Sequence, residues 1–255
     1  MSSTFAGNTN ITEFDYYIDK RQKKKDRKSN RRTQQSGLLL NEIQPLTNTQ
    51  RDVLRSYNSG QNTVLHGCAG TGKTFLSAFL AIRDIMEKVD GKQQLIIVRS
   101  VVPSRDMGFL PGSIQEKSKV YEEPYRAIFA ELFNRGDAYE ILKQRNNIEF
   151  ISTSFLRGST FDDCIIVVDE MQNMSDQELH TVMTRVGEDC RIIFAGDVKQ
   201  DDLTSERKKE LSGLKIFMEV IRNMREFDFV EFLANDIVRS NLVKSYIIER
   251  DKQGL

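Results

Sequence analysis

Six short apolar stretches, separated by segments long enough to be helices, constrain the fold of this 255-residue chain most strongly. The stretches are Asn62–Leu65, Gln94–Val98, Ile148–Ser152, Cys164–Val168, Arg191–Ala195 and Phe229–Leu233. Segments of helical length lie between them, for example Lys73–Val89 and Asp176–Val186. Short strands that are apolar on both faces and alternate with helices form parallel sheets that are covered on both sides. We therefore predict one α/β domain over residues 37–255, with a mostly parallel sheet, helices on both faces and ligands at the carboxyl ends of the strands.

Composition and the placement of apolar residues bear on the class of protein. Hydrophobic residues make up 39% of the chain and charged residues 29%, so a sizeable core is possible. No apolar run approaches the roughly 18 residues of a membrane helix, and the polar first residues lack the layout of a signal peptide. The three cysteines are odd in number and include no CxxC pair, which favours neither a closed disulfide framework nor a zinc site. We expect a soluble cytoplasmic protein with reduced thiols and no membrane partner.

The charge of the chain is unevenly distributed, although the formal net charge is zero. Residues 1–32 hold nine basic and four acidic side chains, a net charge of +5, so the remainder carries −5. Two interpretations stay open: a solvated, self-repelling linker, or an arm that neutralises nucleic-acid phosphates. Because apolar periodicity is weak before Leu38, we predict that residues 1–36 form a disordered basic arm.

An eight-residue pattern of the form GxxxxGK[ST] follows the first apolar stretch and precedes an apolar helix. Its members are Gly67, Cys68, Ala69, Gly70, Thr71, Gly72, Lys73 and Thr74. Glycines allow a tight turn whose backbone N–H groups converge on phosphate oxygens at the helix N-terminus. Lys73 would reach the β- and γ-phosphates of ATP, and the Thr74 hydroxyl would ligate Mg²⁺. A purely structural glycine-rich turn explains neither side chain, so the pattern predicts an ATP and Mg²⁺ site.

Two acids follow the fourth apolar stretch, where a phosphate-binding loop needs a partner for its metal. Asp169 would hold Mg²⁺ directly or through water, and Glu170 would polarise the water that attacks the γ-phosphate. A strand ending in two acids could also simply run into solvent, but the upstream loop favours the functional interpretation. After the next strand, Gln200 in the segment Gly196–Gln200 could sense the γ-phosphate, whereas the segment taken alone suits an ordinary turn.

A stripe of aromatic and aliphatic residues recurs at helical spacing between Tyr121 and Phe133 and includes Tyr125. Such a stripe is more often part of a core or a subunit interface than a base-stacking platform. We therefore predict a helix whose apolar face is buried.

Taken together, the motifs resemble the PhoH family of ATPases, and two of them resemble motifs of superfamily 1 helicases. The helicase-like motifs are Asp169–Asn173 and Gly196–Gln200. The further segments that carry the resemblance are Pro45–Thr47 with Gln50, Gly108–Gly112, Arg157–Gly158 and Asp236–Arg239. The motifs occur in family order over about residues 43–248. The resemblance implies a RecA-like fold, Mg²⁺-dependent ATP hydrolysis and a role on single-stranded RNA or DNA, in a family associated with phosphate starvation.

The resemblance also implies roles for residues outside the glycine-rich loop. Gln50 is expected to contact the nucleotide. Arg239 is expected to complete the γ-phosphate site in cis or in trans, and the alternative for Arg239 is a surface salt bridge with Asp236. The candidate nucleic-acid contacts are Arg99, Arg105 and Arg157, the last in a segment that lacks the second basic residue expected there.

The length of the chain bears on its assembly and its activity. Superfamily 1 helicases hold ATP between two RecA-like domains, and only one such domain fits in this chain. We expect a homo-oligomer, a hexameric ring as the resemblance suggests, in which a neighbouring subunit or the chain's own tail supplies the missing arginine. Two alternatives stay open: an ATP-gated nucleic-acid-binding module without helicase activity, and a P-loop kinase, against which the paired acids argue.

Overall fold

The computed structural model describes residues 37–100, 114–156, 158, 160–197 and 208–253. The chain divides into two compact units, residues 1–40 and 41–255, and the secondary structure below belongs to the second. The predicted basic arm and the residues Arg105, Arg157 and Gln200 lie outside the described residues. No helix in the described part of the chain is both long enough and apolar enough to cross a membrane.

Six strands form one sheet, and every pair of neighbouring strands is parallel. The strands are β1 (Asn62–Gly67), β2 (Gln94–Arg99), β3 (Ile148–Ser152), β4 (Cys164–Asp169), β5 (Arg191–Ala195) and β6 (Phe227–Phe232). Their order across the sheet is β3-β2-β4-β5-β1-β6. The parallel α/β architecture is thus confirmed, and the strand with the glycine-rich loop is separated from the strand with the paired acids by β5 alone.

The predicted strands all exist, and the differences lie at element ends. Strand β6 begins at Phe227 and not at Phe229, because it pairs in register with the whole of β1, from Asn62↔Phe227 to Gly67↔Phe232. The first predicted helix ends at Glu87, two residues early, because Lys88 adopts a left-handed conformation with φ 53° that terminates the helix.

Helices flank the sheet on both faces. They are α1 (Asn48–Asn58), α2 (Lys73–Glu87), α3 (Ile114–Phe133), α4 (Ala138–Gln144), α5 (Asp176–Met183), α6 (Lys208–Arg222) and α7 (Asn241–Lys252). The even-numbered side chains of β4, such as Ile166, pack in one cluster with Leu179 of α5 and Phe217 of α6. The odd-numbered side chains of β4, such as Val167, are equally buried, and helix α2 packs on strands β2, β4 and β5. Strands buried on both faces explain why their sequences are continuously apolar.

Strand order positions the loops that carry the motifs. Because β4, β5 and β1 are neighbours and run in the same direction, their carboxyl ends open side by side at one edge of the sheet. The segments that follow these strands begin at Glu170, Gly196 and Cys68. Motifs spread over some 130 positions of sequence therefore meet at one place.

Candidate functional site

The glycine-rich loop (Gly67–Thr74, the phosphate loop) leaves β1 and opens helix α2. Its turn depends on Gly67, whose φ is 107° and whose absent Cβ would lie 2.1 Å from the Phe232 carbonyl oxygen. The neighbouring backbone N–H, that of Cys68, donates to the same oxygen at 2.8 Å. Gly72 caps helix α2 with φ 87°, in the left-handed region that glycine tolerates best. Close contact with β6 thus explains Gly67, and the left-handed cap explains Gly72.

Gln50 in helix α1 contacts the phosphate loop through its side-chain amide. Its side-chain Nε2 donates to the Thr71 carbonyl oxygen at 3.0 Å, and its Oε1 accepts from the Leu46 backbone N–H at 2.7 Å. Thr71 Oγ1 in turn donates to the Cys68 carbonyl oxygen at 3.0 Å. Both ends of the Gln50 amide therefore bind backbone, and its predicted contact with nucleotide stays a prediction.

Lys73 turns back over the loop to which it belongs. Its Nζ donates to the carbonyl oxygens of Gly67 at 2.9 Å and of Cys68 at 2.7 Å. Burial lowers the pKa of Lys73, and the negative charges of Asp197 and Glu170 act in the opposite direction. The ammonium group is thus held beside the loop by weak neutral acceptors that an anion can replace.

Asp169, the last residue of β4, is hydrogen-bonded through both of its carboxylate oxygens. Its Oδ1 accepts from the Thr74 hydroxyl at 2.8 Å, and its Oδ2 accepts from the Tyr125 hydroxyl of helix α3 at 2.7 Å. The residue is 2% exposed, so these bonds replace most of its contact with water. Burial, and next the charge of Asp169, keep the pKa of Tyr125 well above its usual range, which leaves Tyr125 a donor at any working pH.

Glu170 follows Asp169 in a left-handed conformation, φ 54° and ψ 45°, which turns the chain sharply out of the strand. Burial, followed by the charge of Asp169, raises the pKa of Glu170. Its Oε2 accepts a 2.5 Å hydrogen bond from Gln172 Nε2, while Gln172 Oε1 accepts from the Asp197 backbone N–H at 3.0 Å. Gln172 thus links the acidic turn after β4 to the turn after β5.

Gly196 shows how tightly these two turns pack. A Cβ on Gly196 would lie 2.4 Å from Gln172 Oε1 and 2.7 Å from Met171 Cγ. Only glycine lets the turn after β5 approach the acidic turn closely enough for the Asp197–Gln172 hydrogen bond. The predicted γ-phosphate sensor, Gln200, lies just beyond this turn and outside the described residues.

Arg99, the last residue of β2, lies beside the acidic cluster. Burial alone would lower the pKa of its guanidinium, but the interaction with Tyr125 and the negative charges of Asp169 and Glu170 outweigh this cause and raise it overall. Arg99 in turn opposes the rise in the pKa of Glu170. The structure therefore brings Arg99 to the same edge of the sheet as the acidic pair, and its contact with nucleic acid stays a prediction.

Arg239 lies against the phosphate loop of its own chain. Its Cγ is 3.0 Å from the position that a Cβ on Gly70 would take, and the Val238 backbone N–H donates to the Gly70 carbonyl oxygen at 3.1 Å. Within the described residues the alternative salt bridge with Asp236 does not form. That carboxylate accepts from the Leu233 backbone N–H at 2.9 Å. The exposed side chain of Arg239 is thus beside the loop in cis.

The donor set at this edge fits a magnesium ion. Magnesium prefers oxygen ligands, and the Thr74 hydroxyl and Asp169 carboxylate supply two of them side by side. In the described part of the chain, no three acids, cysteines or histidines form a metal-binding group. Magnesium commonly keeps several waters and takes further ligands from phosphate, so two protein oxygens are sufficient.

Sequence reasoning missed two residues of this site, Tyr125 and Gln172. The spacing of Tyr125 correctly predicted a buried helix face but gave no sign that its hydroxyl reaches Asp169, 44 positions away. Gln172 lies within the helicase-like motif Asp169–Asn173, and its amide, which offers both a donor and an acceptor, is the sequence signal for a bridging role.

Comparisons with known proteins agree with the motifs. Residues 42–249 match the family model described as "PhoH: PhoH-like protein". A PhoH-like protein of Synechocystis sp. is 31% identical over 207 residues, which cover 80% of this chain and 61% of that protein. A PhoH-like protein of Bacillus subtilis is 33% identical over 189 residues, which cover 74% of this chain and 57% of that protein. The chain therefore spans less than two thirds of the length of these relatives.

Among solved structures, the large terminase of a thermophilic bacteriophage has a TM-score of 0.45 and 12% identity, covering 80% of this chain and 50% of that chain.

Proposed function

Because this chain belongs to the PhoH family and has a P-loop NTPase fold, we propose that it hydrolyses ATP with Mg²⁺ and couples hydrolysis to binding or unwinding single-stranded RNA or DNA. The observation that carries the proposal is the 2.8 Å hydrogen bond from Thr74 Oγ1 to Asp169 Oδ1. A hydroxyl that donates to this carboxylate keeps its lone pairs for a metal ion. When bound, Mg²⁺ would neutralise the charge that develops on the phosphates.

Lys73 would exchange its neutral partners for a phosphate. Its two hydrogen bonds to loop carbonyls hold the ammonium group near the space that the loop encloses. Because the acceptors are neutral, breaking these bonds costs little free energy. Burial destabilises the charged amine. An ionic contact with a bound anion therefore stabilises Lys73 more than the same contact would in water. The backbone N–H groups of the loop would bind the remaining phosphate oxygens.

Glu170 would act as the general base. Its raised pKa makes it a better proton acceptor than an ordinary carboxylate, while the charge of Arg99 and the hydrogen bond from Gln172 oppose that rise. The hydrogen bond from Gln172 Nε2 fixes one carboxylate oxygen, so the other can accept the proton of an attacking water. We propose that Gln172 also transmits the state of this base to the turn at Asp197.

Arg239 would stabilise the γ-phosphate in cis. An arginine in this role increases the turnover rate by a factor of about 10³–10⁵. Arg239→Ala is therefore expected to hydrolyse ATP at least about 10³-fold more slowly while it still binds nucleotide. Arg250→Ala, which changes an exposed arginine in helix α7, is the matched control. Mixing Arg239→Ala with Glu170→Gln separates the geometries, because mixed oligomers regain turnover only if the arginine acts in trans.

The decisive experiment is ATP turnover in Mg²⁺, with and without single-stranded RNA or DNA. Lys73→Ala is expected to lose about 10²–10³ in turnover and to bind nucleotide weakly, since it removes a preorganised positive charge. Glu170→Gln is expected to bind nucleotide but not to turn it over. Lys215→Ala, at an exposed position of helix α6, is the control for loss of a lysine. A folded wild-type protein that binds no nucleotide in Mg²⁺ would refute the proposal.

The nucleic-acid part of the proposal has its own test. Strand displacement measured beside simple binding separates a helicase from an ATP-gated binding module. Deletion of residues 1–36 is expected to lower the salt dependence of binding, by about one in slope for each phosphate that the arm had neutralised. Sedimentation of the same samples tests the proposed hexamer, and an unchanged salt slope would remove the basic arm from the binding surface.

A further inference from the structure

Two of the three cysteines face each other at the edge of the sheet opposite the phosphate loop. Cys164 Sγ and Cys190 Sγ are 3.3 Å apart, within hydrogen-bond reach, and both are free thiols. Cys164 begins β4, and Cys190 immediately precedes β5. The third cysteine, Cys68, follows β1 at the carboxyl edge and lies outside this pair.

The register of the two strands explains the contact. Ile165 pairs with Arg191 and Ile166 with Ile192, so one position earlier Cys164 stands opposite Cys190 on the same face. Neighbouring strands are about 4.8 Å apart, within the range of Cα separations that disulfides span. The two sulfur atoms need to approach by only about 1.2 Å to reach the bonded distance of about 2.05 Å.

We propose that Cys164 and Cys190 form a dithiol site that a glutathione-type disulfide oxidises reversibly to a cross-strand disulfide. Cys190 is the partly exposed member and would react first, while Cys164 is buried and would resolve the intermediate. The hydrogen bond between them, followed by burial, raises the pKa of the Cys164 thiol and favours the thiolate on Cys190, which agrees with this order.

The reaction balances in two exchanges. Cys190 Sγ, as thiolate, attacks one sulfur of oxidised glutathione and releases one glutathione thiolate, which leaves a mixed disulfide. Cys164 Sγ then attacks Cys190 Sγ and expels the second glutathione thiolate. The two protons of the protein thiols end on the two glutathione molecules, so glutathione is reduced by the two electrons that the protein loses.

The site is independent of the proposed ATPase chemistry. Asp169 lies five positions along β4 from Cys164, about 16 Å at the usual rise of a strand. The cross-link would close the loop that contains helix α5 and tie β4 to β5 at their amino ends. Oxidation is therefore expected to leave nucleotide binding intact and to raise Tm by about 4–16 °C, since a disulfide restricts the unfolded chain.

The test uses the full chain, equilibrated in buffers of reduced and oxidised glutathione and then quenched. Thiols are alkylated in denaturant and counted by intact mass, and the cross-link is located by digestion. The expected result is a fall from three free thiols to one, a mapped Cys164–Cys190 disulfide and a Tm above that of the reduced protein. Three persisting thiols, a stable glutathione adduct, a disulfide to Cys68, or a Tm that is unchanged or lowered would each overturn the proposal.

Two variants check the order of steps without relying on stability. Cys164→Ser is expected to stop at one glutathione adduct on Cys190, because the resolving thiol is missing. Cys190→Ser is expected to keep both remaining thiols free, because Cys164 is buried. A stable adduct on Cys164 in the second variant would contradict the assigned order.

Discussion

Replacing Tyr125 by phenylalanine removes one oxygen atom from the site and keeps the aromatic ring that fills the core. The variant removes the 2.7 Å hydrogen bond to Asp169 Oδ2 and the hydrogen bond with Arg99. Tyr125 is 1% exposed and Asp169 is 2% exposed, so the bond to Asp169 is fully buried. Hydrogen bonds to charged groups contribute about 1.5–3 kcal/mol, so the free energy of unfolding should fall by that amount. For a domain of this size the loss corresponds to a Tm lower by about 3–12 °C.

Tyr125→Phe is also expected to weaken nucleotide binding, in addition to lowering stability. Partners that orient a metal-binding carboxylate typically contribute about 10- to 100-fold to metal affinity, so Mg²⁺-dependent nucleotide binding should weaken by that factor. Titration of a fluorescent ATP analogue at several Mg²⁺ concentrations measures it. Nucleotide binding without Mg²⁺ should change little, because the phosphate loop itself is untouched.

Tyr139→Phe is the matched control for this prediction. The Tyr139 hydroxyl donates to the buried Glu122 at 2.9 Å, so the variant removes the same kind of bond away from the phosphate loop. Lys143 Nζ still holds that carboxylate at 2.7 Å, so the loss of stability should be equal or smaller. If both variants retain wild-type Mg²⁺-dependent nucleotide affinity, the assignment of Tyr125 as a positioning residue is refuted.

Three further predictions concern the two turns and the phosphate loop. Gly67→Ala should lower the free energy of unfolding by about 3 kcal/mol or more, because its Cβ would meet the β6 backbone. Gly136→Ala, with open space around it, should lower it by less than about 0.5 kcal/mol. Denaturant unfolding measures both. The raised pKa of Glu170 means that the folded state binds this proton more tightly than the unfolded chain, so stability falls as pH rises above 4.5. Glu170→Gln should therefore be more stable than wild type at pH 7, with a gain that disappears towards pH 4.5; an equal gain at both pH values would contradict this cause. Gln172→Ala removes a hydrogen bond that lowers the pKa of Glu170, so the acidic limb of the ATP turnover profile should move to higher pH; an unmoved limb would show that Gln172 does not tune the base.

The parts of the fold that local patterns control were predictable. Continuous apolar runs predicted all six strands, since a strand buried on both faces must be apolar along its length. The turn of the glycine-rich loop was predictable for a similar reason, because glycines at fixed spacing set the backbone geometry within one short segment, and its binding of phosphate stays a prediction. Errors were confined to element ends, where pairing with a neighbour decides the length, as in β6.

Contacts between distant segments were not predictable. Tyr125 looked like any other residue of a buried helix face, because periodicity reports which side is buried and not what a terminal hydroxyl meets. The same limit applies to Cys164 and Cys190, which are 26 positions apart and meet because β4 and β5 are neighbours in one register.

The sequence by itself therefore determined the α/β class and the family, and it predicted a phosphate site at the glycine-rich loop and the acidic pair, since short contiguous patterns carry each of these. The tertiary structure alone decided that Arg239 lies beside Gly70 of its own chain, that Arg99 lies near the acids, and that Tyr125 and Gln172 hold Asp169 and Glu170. The physical reason is that strand order and register place side chains in three dimensions, and a single sequence does not state that order.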